Sequence, residues 1–305
     1  MLVGVDLPGE PRLGALRLTV VSLGRGQQDD LLPSICMGTP VPAGRGSTRD
    51  PGSQRTSAPG GSLDRMADAD IHFYFDPVCP FAWMTSKWVR LVMAQQEYTV
   101  QWRFISLRLV NAQVDYAAQF PPDYEAGHTA GLRLLRVAAR TRAELGPDAV
   151  GTLYEGLGSR IFDSPPEPDT TGGRRGTREF LAPVLVGAGL PAELADALDD
   201  DSFDAEVQAE TDEALSLTGK DVGTPIIHFR PPTGVAFFGP VISRLPAAED
   251  AVRLWEHVVG LAGFPGFAEL KRSLRERPQL RGLGVDVDEV GVTEDWHGGS
   301  RRLKK

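Results

Sequence analysis

The chain has 305 residues, of which 41% are hydrophobic, and a formal net charge of −9. That length suits one good-sized domain or two small ones, and the acidic balance argues against a nucleic-acid partner, which would want a basic face. Two cysteines, Cys36 and Cys79, are too few for a disulfide framework and fit a reducing cytoplasm; no run approaches the ~18 apolar residues of a membrane span, and Asp6, Glu10 and Arg12 interrupt the N-terminus where a secretory leader would be apolar.

Residues 1–65 differ from the rest. Gly and Pro are frequent, periodic apolar pattern is nearly absent, and Arg45–Ser53 and Ser57–Ser62 are linker-like. Such a segment buries too little apolar surface to offset its ordering entropy, so it is expected to be disordered. Met66 is the expected functional start, with 1–65 either a disordered or an upstream mis-called extension.

From Ile71 the pattern sharpens. Ile71-His72-Phe73-Tyr74-Phe75 reads as a strand, which Asp76-Pro77 stops, because the residue before a proline is pushed out of the helical region. Cys79 follows, and Pro80 stands at the first position of a helix, where its missing N–H is not needed. The helical pattern proper begins at Met84, with Trp83, Trp88, Leu91 and Val92 at helical spacing. Cys79 therefore sits at the positive end of a helix dipole, a setting that favours the thiolate.

Val100, Trp102 and Phe104 alternate in a second strand, and the crossover length suits a parallel pair. From Asp123 to about Thr218 the period is helical. Ser164–Gly176 interrupts it as a polar loop that is expected to be mobile. Pro225-Ile226-Ile227-His228-Phe229 is a strand, Pro231–Gly234 a turn, and Val235–Phe238 an antiparallel partner. Helices are expected around Trp255, Val258, Val259 and Ala262, and again at Phe267, Leu270 and Leu274. Residues 280–305 read as a flexible tail. The order is β-α-β, a helical insertion at about 112–220, then β-β-α: a small α/β domain split by helices.

That order, with Cys-Pro heading the first helix and Thr224-Pro225 opening the third strand, resembles the thioredoxin fold, and the long insertion its DsbA-like branch. More narrowly, Phe75–Ser86, Asp221–His228 and Gly234–Pro246 resemble the mycothiol-dependent nitroreductase family of actinobacteria. The resemblance runs from about Ile71 to Gln279, and it makes 66–279 the expected thioredoxin-like domain. It implies a cytoplasmic oxidoreductase that draws electrons from the small thiol mycothiol. In it Cys79 is the attacking residue, and Pro80, Phe81, Thr224 and a cis Pro225 contact substrate. From the residues themselves no metal or nucleotide is expected, since the two cysteines and five histidines do not cluster at ligand spacing and the Gly-rich run Thr170–Gly176 lacks the Lys-Ser/Thr ending of a phosphate loop. Family members carry Cys-Pro-x-Cys, whereas here Ala82 holds the fourth position. A lone thiol accepts a mixed disulfide but cannot release itself by internal exchange. The pattern thus points to single-cysteine chemistry completed by mycothiol, acting on protein or small-molecule disulfides or other small electrophiles, nitro compounds among them.

Other readings stand beside this one. A lone cysteine is usually a small buried hydrophobe, and Pro225 could simply open a strand. His72 and His228 read as sheet packing, His128 as either surface or site, Asp76 as a turn cap, and Trp83 as core. Arg174-Arg175 reads as a solvated pair or a grip on a carboxylated thiol substrate. Kappa-type glutathione transferases and 2-hydroxychromene-2-carboxylate isomerases, which share the branch, place Ser at the position of Cys79 and hold a small thiol without bonding to it. A partner-binding module without catalysis is the third alternative.

Overall fold

Strand β1 (Ile71–Phe75) is buried along its whole length. The computed structural model describes residues 69–119, 123–166, 173–219, 222–270, 274–276, 278–285 and 293–295; the expectations for residues 1–65, for Cys36 and for a start at Met66 lie outside them. Beside β1 runs β2 (Val100–Phe104), parallel and with Ile71 opposite Val100. On its other side β3 (Ile226–Phe229) is antiparallel, with Tyr74 opposite Ile226, and β4 (Val235–Phe238) closes the sheet in the order β2-β1-β3-β4.

Helix α1 (Pro80–Met93) crosses from β1 to β2. It starts at Pro80, four residues before the apolar periodicity becomes helical, because the first turn is set by the cap and the proline rather than by packing. Between β2 and β3 come α2 (Leu107–Val110), α3 (Tyr116–Gln119), α4 (Tyr124–Leu145), α5 (Pro147–Gly158), α6 (Arg178–Gly187) and α7 (Asp204–Thr218). Helix α8 (Ala248–Ala262) follows β4. The architecture is a thioredoxin fold carrying a large helical insertion. Among the described residues no helix is long and apolar enough to cross a membrane.

The period of two along β1 divides the interior. Ile71, Phe73 and Phe75 join the larger cluster, where Phe75 stacks on Tyr154 of α5 at 3.8 Å and Trp88 of α1 meets Trp255 of α8 at 5.8 Å. Tyr74 points to the other face, into a small cluster with Ile105, Ala214 and Ile226. There α7 is clamped by charge. Glu210 receives Arg142 of α4 at 2.9 Å and the Phe104 N–H at 2.7 Å, while Glu213 takes Arg103 at 2.6 Å and the Tyr74 hydroxyl at 2.8 Å. Arg142 also pairs with Glu206. Glu210 also takes Arg103 at 2.9 Å, so although Arg142 and Glu210 are both buried, each keeps a second ion-pair partner if the other is removed.

Two expectations need correcting near the C-terminus. Leu274 lies in a strand, β5 (Leu274–Glu276), paired antiparallel with β6 (Thr293–Asp295), and not in a second helix. Three-residue strands are too short for alternation to show, and the partner is far along the chain. The stretch from 280 is also no loose tail where it is described: Leu280 is 1% exposed and belongs to the main cluster. Gly282 explains the close approach, since a Cβ there would sit 2.3 Å from the Ile161 carbonyl oxygen. The 164–176 loop likewise ends in a formed turn, Arg174–Gly176, and Thr177 caps α6 through Phe180 N–H.

Candidate active site

Cys79 occupies the N-cap of α1 with extended backbone, φ −87° and ψ 114°. The Asp76 carbonyl accepts the Cys79 N–H at 3.0 Å and closes the preceding turn, as the strand-stopping Asp-Pro pair leads one to expect. Sγ makes hydrogen bonds of 3.5 Å to two backbone groups, beside a further backbone donor, the Phe81 N–H. It accepts the Ala82 N–H, and its S–H donates to the Thr224 carbonyl. The Thr224–Pro225 peptide bond is cis, and the Thr224 hydroxyl donates to the Tyr74 carbonyl at 3.1 Å, which ties this loop to β1. Cys79, Pro80, Phe81 and Thr224 thus come together, all nearly inaccessible, with Phe81 5% exposed.

Burial decides the state of the sulfur. The helix terminus was expected to favour a thiolate, yet the Cys79 thiol is pushed up to about 12. Desolvation is the largest cause; the Ala82 N–H opposes it, and the negative charge of Asp76 adds to it. The N–H groups of Ala82 and Phe81 at the helix end contribute little against the loss of water around a charge. The resting group is therefore a thiol whose S–H is directed at the Thr224 carbonyl.

Asp76 is fully buried beneath the turn. One carboxylate oxygen accepts Val78 N–H at 3.0 Å and the other Leu107 N–H at 2.7 Å. It caps the turn and also joins it to α2. Burial raises its carboxyl to about 7, and the two N–H donors pull the other way. Helix α4 lies directly on this turn: a Cβ on Gly131 would stand 2.7 Å from Asp76 Oδ1 and 2.9 Å from Val78 Cγ2.

One turn before Gly131, His128 is buried and its Nδ1 lies 2.9 Å from the Tyr116 hydroxyl. Tyr124 packs edge-on against the same imidazole at 4.9 Å, and Arg108 lies 5.2 Å over the Tyr116 ring. Burial lowers His128 to about 4 and raises Tyr116 to about 12. The Tyr124 hydroxyl is raised as well, by burial first and by the charge of Cys79 second, which sets it near the sulfur. With both groups neutral, the Tyr116 hydroxyl and Nδ1 share one hydrogen bond whose direction follows the imidazole tautomer. Sequence reading left His128 between surface and site and missed Tyr116, Tyr124 and Arg108. The one available signal was Tyr124 and His128 four apart at a helix start.

Other candidates lie elsewhere. His72 and His228 face each other across β1 and β3, at 6.1 Å between rings, on the sheet face opposite α1. Trp83 is core, and its indole N–H donates to Asp163 at 3.3 Å. Among the described residues no group of three or more His, Cys, Asp or Glu could hold a metal ion.

The family model described as "Rv2466c-like: Mycothiol-dependent nitroreductase Rv2466c" matches residues 78–272. An uncharacterized protein of Mycobacterium tuberculosis, Rv2286c, is 32% identical over 203 residues, which cover 66% of this chain and 81% of the relative. Among solved structures, a probable DsbA oxidoreductase of Streptomyces coelicolor, SCO1869, is 17% identical. It aligns with a TM-score of 0.42 over 70% of this chain and 98% of its own. The DsbA of Chlamydia trachomatis is 14% identical, with a TM-score of 0.40 over 68% of this chain and 98% of its own.

Proposed function

The chain belongs to the Rv2466c-like family of mycothiol-dependent nitroreductases, and from that membership we propose that it is a cytoplasmic single-cysteine oxidoreductase with mycothiol as reducing co-substrate. One observation carries the reading. Cys79 caps α1 with Sγ between a backbone donor and a backbone acceptor, while Ala82 stands where a second thiol would be. Among the described residues no second thiol is present, so chemistry at this sulfur is taken to be finished by a thiol from outside the chain.

The proposed cycle has two exchanges. The Cys79 thiolate attacks the mycothiol sulfur of a mixed disulfide, bonds to it, and the other sulfur leaves as a thiolate that takes up a proton. The thiolate of a second mycothiol then attacks the Cys79-bound mycothiol sulfur. Mycothiol disulfide departs and Cys79 is restored. In sum, the mixed disulfide and one free mycothiol give the released thiol and mycothiol disulfide, so one mycothiol thiol is spent per turnover. Reduction of a nitro group to nitroso and water instead spends two free mycothiol thiols, which leave as mycothiol disulfide. The chain's own work is to orient and to control the proton. The Ala82 N–H supports the sulfur as charge develops, and the Thr224 carbonyl holds the S–H until exchange. At 1% exposure Sγ meets a substrate only after the side chains over it swing aside.

Incubation with mycothiol disulfide and intact-mass measurement tests this. One mycothiol should add to the protein, be released by free mycothiol, and fail to add to Cys79→Ser. A Cys79→Ser variant that still turns over mycothiol-dependent substrates would reject the reading. A second reading is favoured by the raised pKa of the buried thiol together with Ala82: the site binds a small thiol without bonding to it, as in the isomerase and kappa-transferase branches. Mycothiol binding with no mass adduct, unaltered by Cys79→Ser, would select it.

A further inference from the structure

On the sheet face away from α1, three polar side chains stand in one row across three strands. They are Gln101 of β2, His72 of β1 and His228 of β3, neighbours by register; residues opposite each other on adjacent strands present their side chains to the same face. All three are more than nine-tenths buried, at 6%, 7% and 4% exposure. Neither ring nitrogen of His72 and neither amide atom of Gln101 has a hydrogen-bond partner. Unmet, such groups only cost stability. One position along on the same face, Arg103 has its charge taken by Glu210 at 2.9 Å and Glu213 at 2.6 Å, so it sets little repulsion against a cation.

His72 and His228 face each other with ring centroids 6.1 Å apart and planes at 89°. An ion about 2.1 Å from one nitrogen of each ring joins imidazoles whose centres are up to about 6.4 Å apart. The observed spacing lies within that reach, so turning a side chain brings the nitrogens together without moving the strands. Burial holds both imidazoles below their ordinary value, His72 at about 4, which leaves them neutral with a lone pair to give. The Gly234 carbonyl accepts a hydrogen bond from the His228 ring, and a metal-bound imidazole usually gives its second nitrogen to such a carbonyl. We propose that His72 and His228 bind a divalent transition-metal ion of the kind imidazole prefers, zinc being the type case, with the Gln101 amide oxygen as third ligand and a water as fourth. An organic molecule would need a cavity here; an ion needs only converging donors. The two histidines are far apart in the chain, so ligand spacing in the sequence could not show them as a pair. Bound there, the ion clamps β1 to β3, the strands that lead into the Cys79 turn and out of the Thr224–Pro225 bond. It touches neither, and its binding stands or falls apart from the chemistry of Cys79.

Calorimetric titration of the full chain with zinc chloride tests it, with a phosphine reductant in place of a thiol. One saturable equivalent is expected. His72→Phe and His228→Gln should each weaken binding about tenfold or more, since even the groups behind a metal ligand are worth that much. Gln101→Leu should weaken it less. His257→Gln, which changes an exposed histidine of α8, should leave it unchanged, and so should the double variant Cys36→Ser/Cys79→Ser. Zinc should also raise the unfolding temperature of the parent chain and not that of His72→Phe. If one histidine variant does not fold by circular dichroism, the other carries the test from its own strand. No saturable zinc binding overturns the proposal, as does binding that survives both histidine changes. Loss of binding in the double cysteine variant overturns it too, because it would put the ion on a thiol.

Discussion

The two ends of β1 bury polar groups in opposite ways. At its C-terminal end each Asp76 carboxylate oxygen has a main-chain N–H, and Cys79 Sγ has both a donor and an acceptor. At its N-terminal end His72 is 7% exposed with neither ring nitrogen hydrogen-bonded, and Gln101, opposite it in register, is 6% exposed with its amide equally unpartnered. A buried donor or acceptor without a partner costs about 1–3 kcal/mol. Burial at the first end holds chemistry ready; at the second it is a plain loss of stability, tolerable because the imidazole stays neutral. The difference also sets the two ends against each other in pH. Asp76 is raised from 3.8 to about 7, so the folded chain keeps a proton that the unfolded chain releases, and stability is lost as pH rises between those values. His72 is lowered from 6.5 to about 4, so the unfolded chain takes a proton that the folded one refuses, and stability is lost as pH falls through that window.

The largest expected effect is on the chemistry of the first end. Ala82→Cys places a thiol beside Sγ, since the Ala82 nitrogen already lies 3.5 Å from it. The mycothiol adduct on Cys79 should then be expelled by internal exchange, leaving an intramolecular disulfide and little trapped adduct by mass. A full adduct on the variant would show that the turn cannot bring the two sulfurs together.

Next come the two titrations. Replacing Asp76 by Asn removes the acid's pH dependence. Relative to the parent chain, the variant should gain on the order of 4 kcal/mol in unfolding free energy as pH rises from about 4 to 7. His72→Phe should do the reverse, gaining on the order of 3 kcal/mol relative to the parent as pH falls from about 6.5 to 4. His128 titrates in the same window but cancels in each difference. Denaturant unfolding across that pH range measures both. Two flat differences would erase the contrast between the ends.

How far the sequence alone reached follows from the range of the interactions involved. Strand β1, the Asp-Pro stop and Pro80 at the head of α1 were legible because each is decided within a few residues. So was the β-α-β and β-β-α frame, whose strands alternate long enough to be seen. The buried thiol was not legible: the water around Cys79 is removed by α4 and the Thr224 loop, and no local pattern reports that. Tyr116, Tyr124 and His128 read singly as ordinary aromatic and polar positions, and only packing brings them together. The stretch from Leu280 looked like tail because the segment that Gly282 packs on, at Ile161, lies far back in the chain.

The smallest effect sharpens the first end most. Gly131→Ala puts a methyl 2.7 Å from Asp76 Oδ1, and that oxygen cannot swing away because it holds the Val78 N–H. Helix α4 or the Cys79 turn must give, so a destabilisation of about 1–3 kcal/mol is expected. In Gly187→Ala, where a Cβ on α6 meets nothing within 4 Å, the same change should be neutral or stabilising by up to about 1 kcal/mol. If the clash is with the carboxylate, Gly131→Ala should cost less when Asp76 is already Ala, and a double-mutant cycle would return a coupling of about 0.5–3 kcal/mol. Strict additivity would place the strain elsewhere on α4. Coupling would show that the buried acid, the helix above it and the cysteine turn form one mechanical unit.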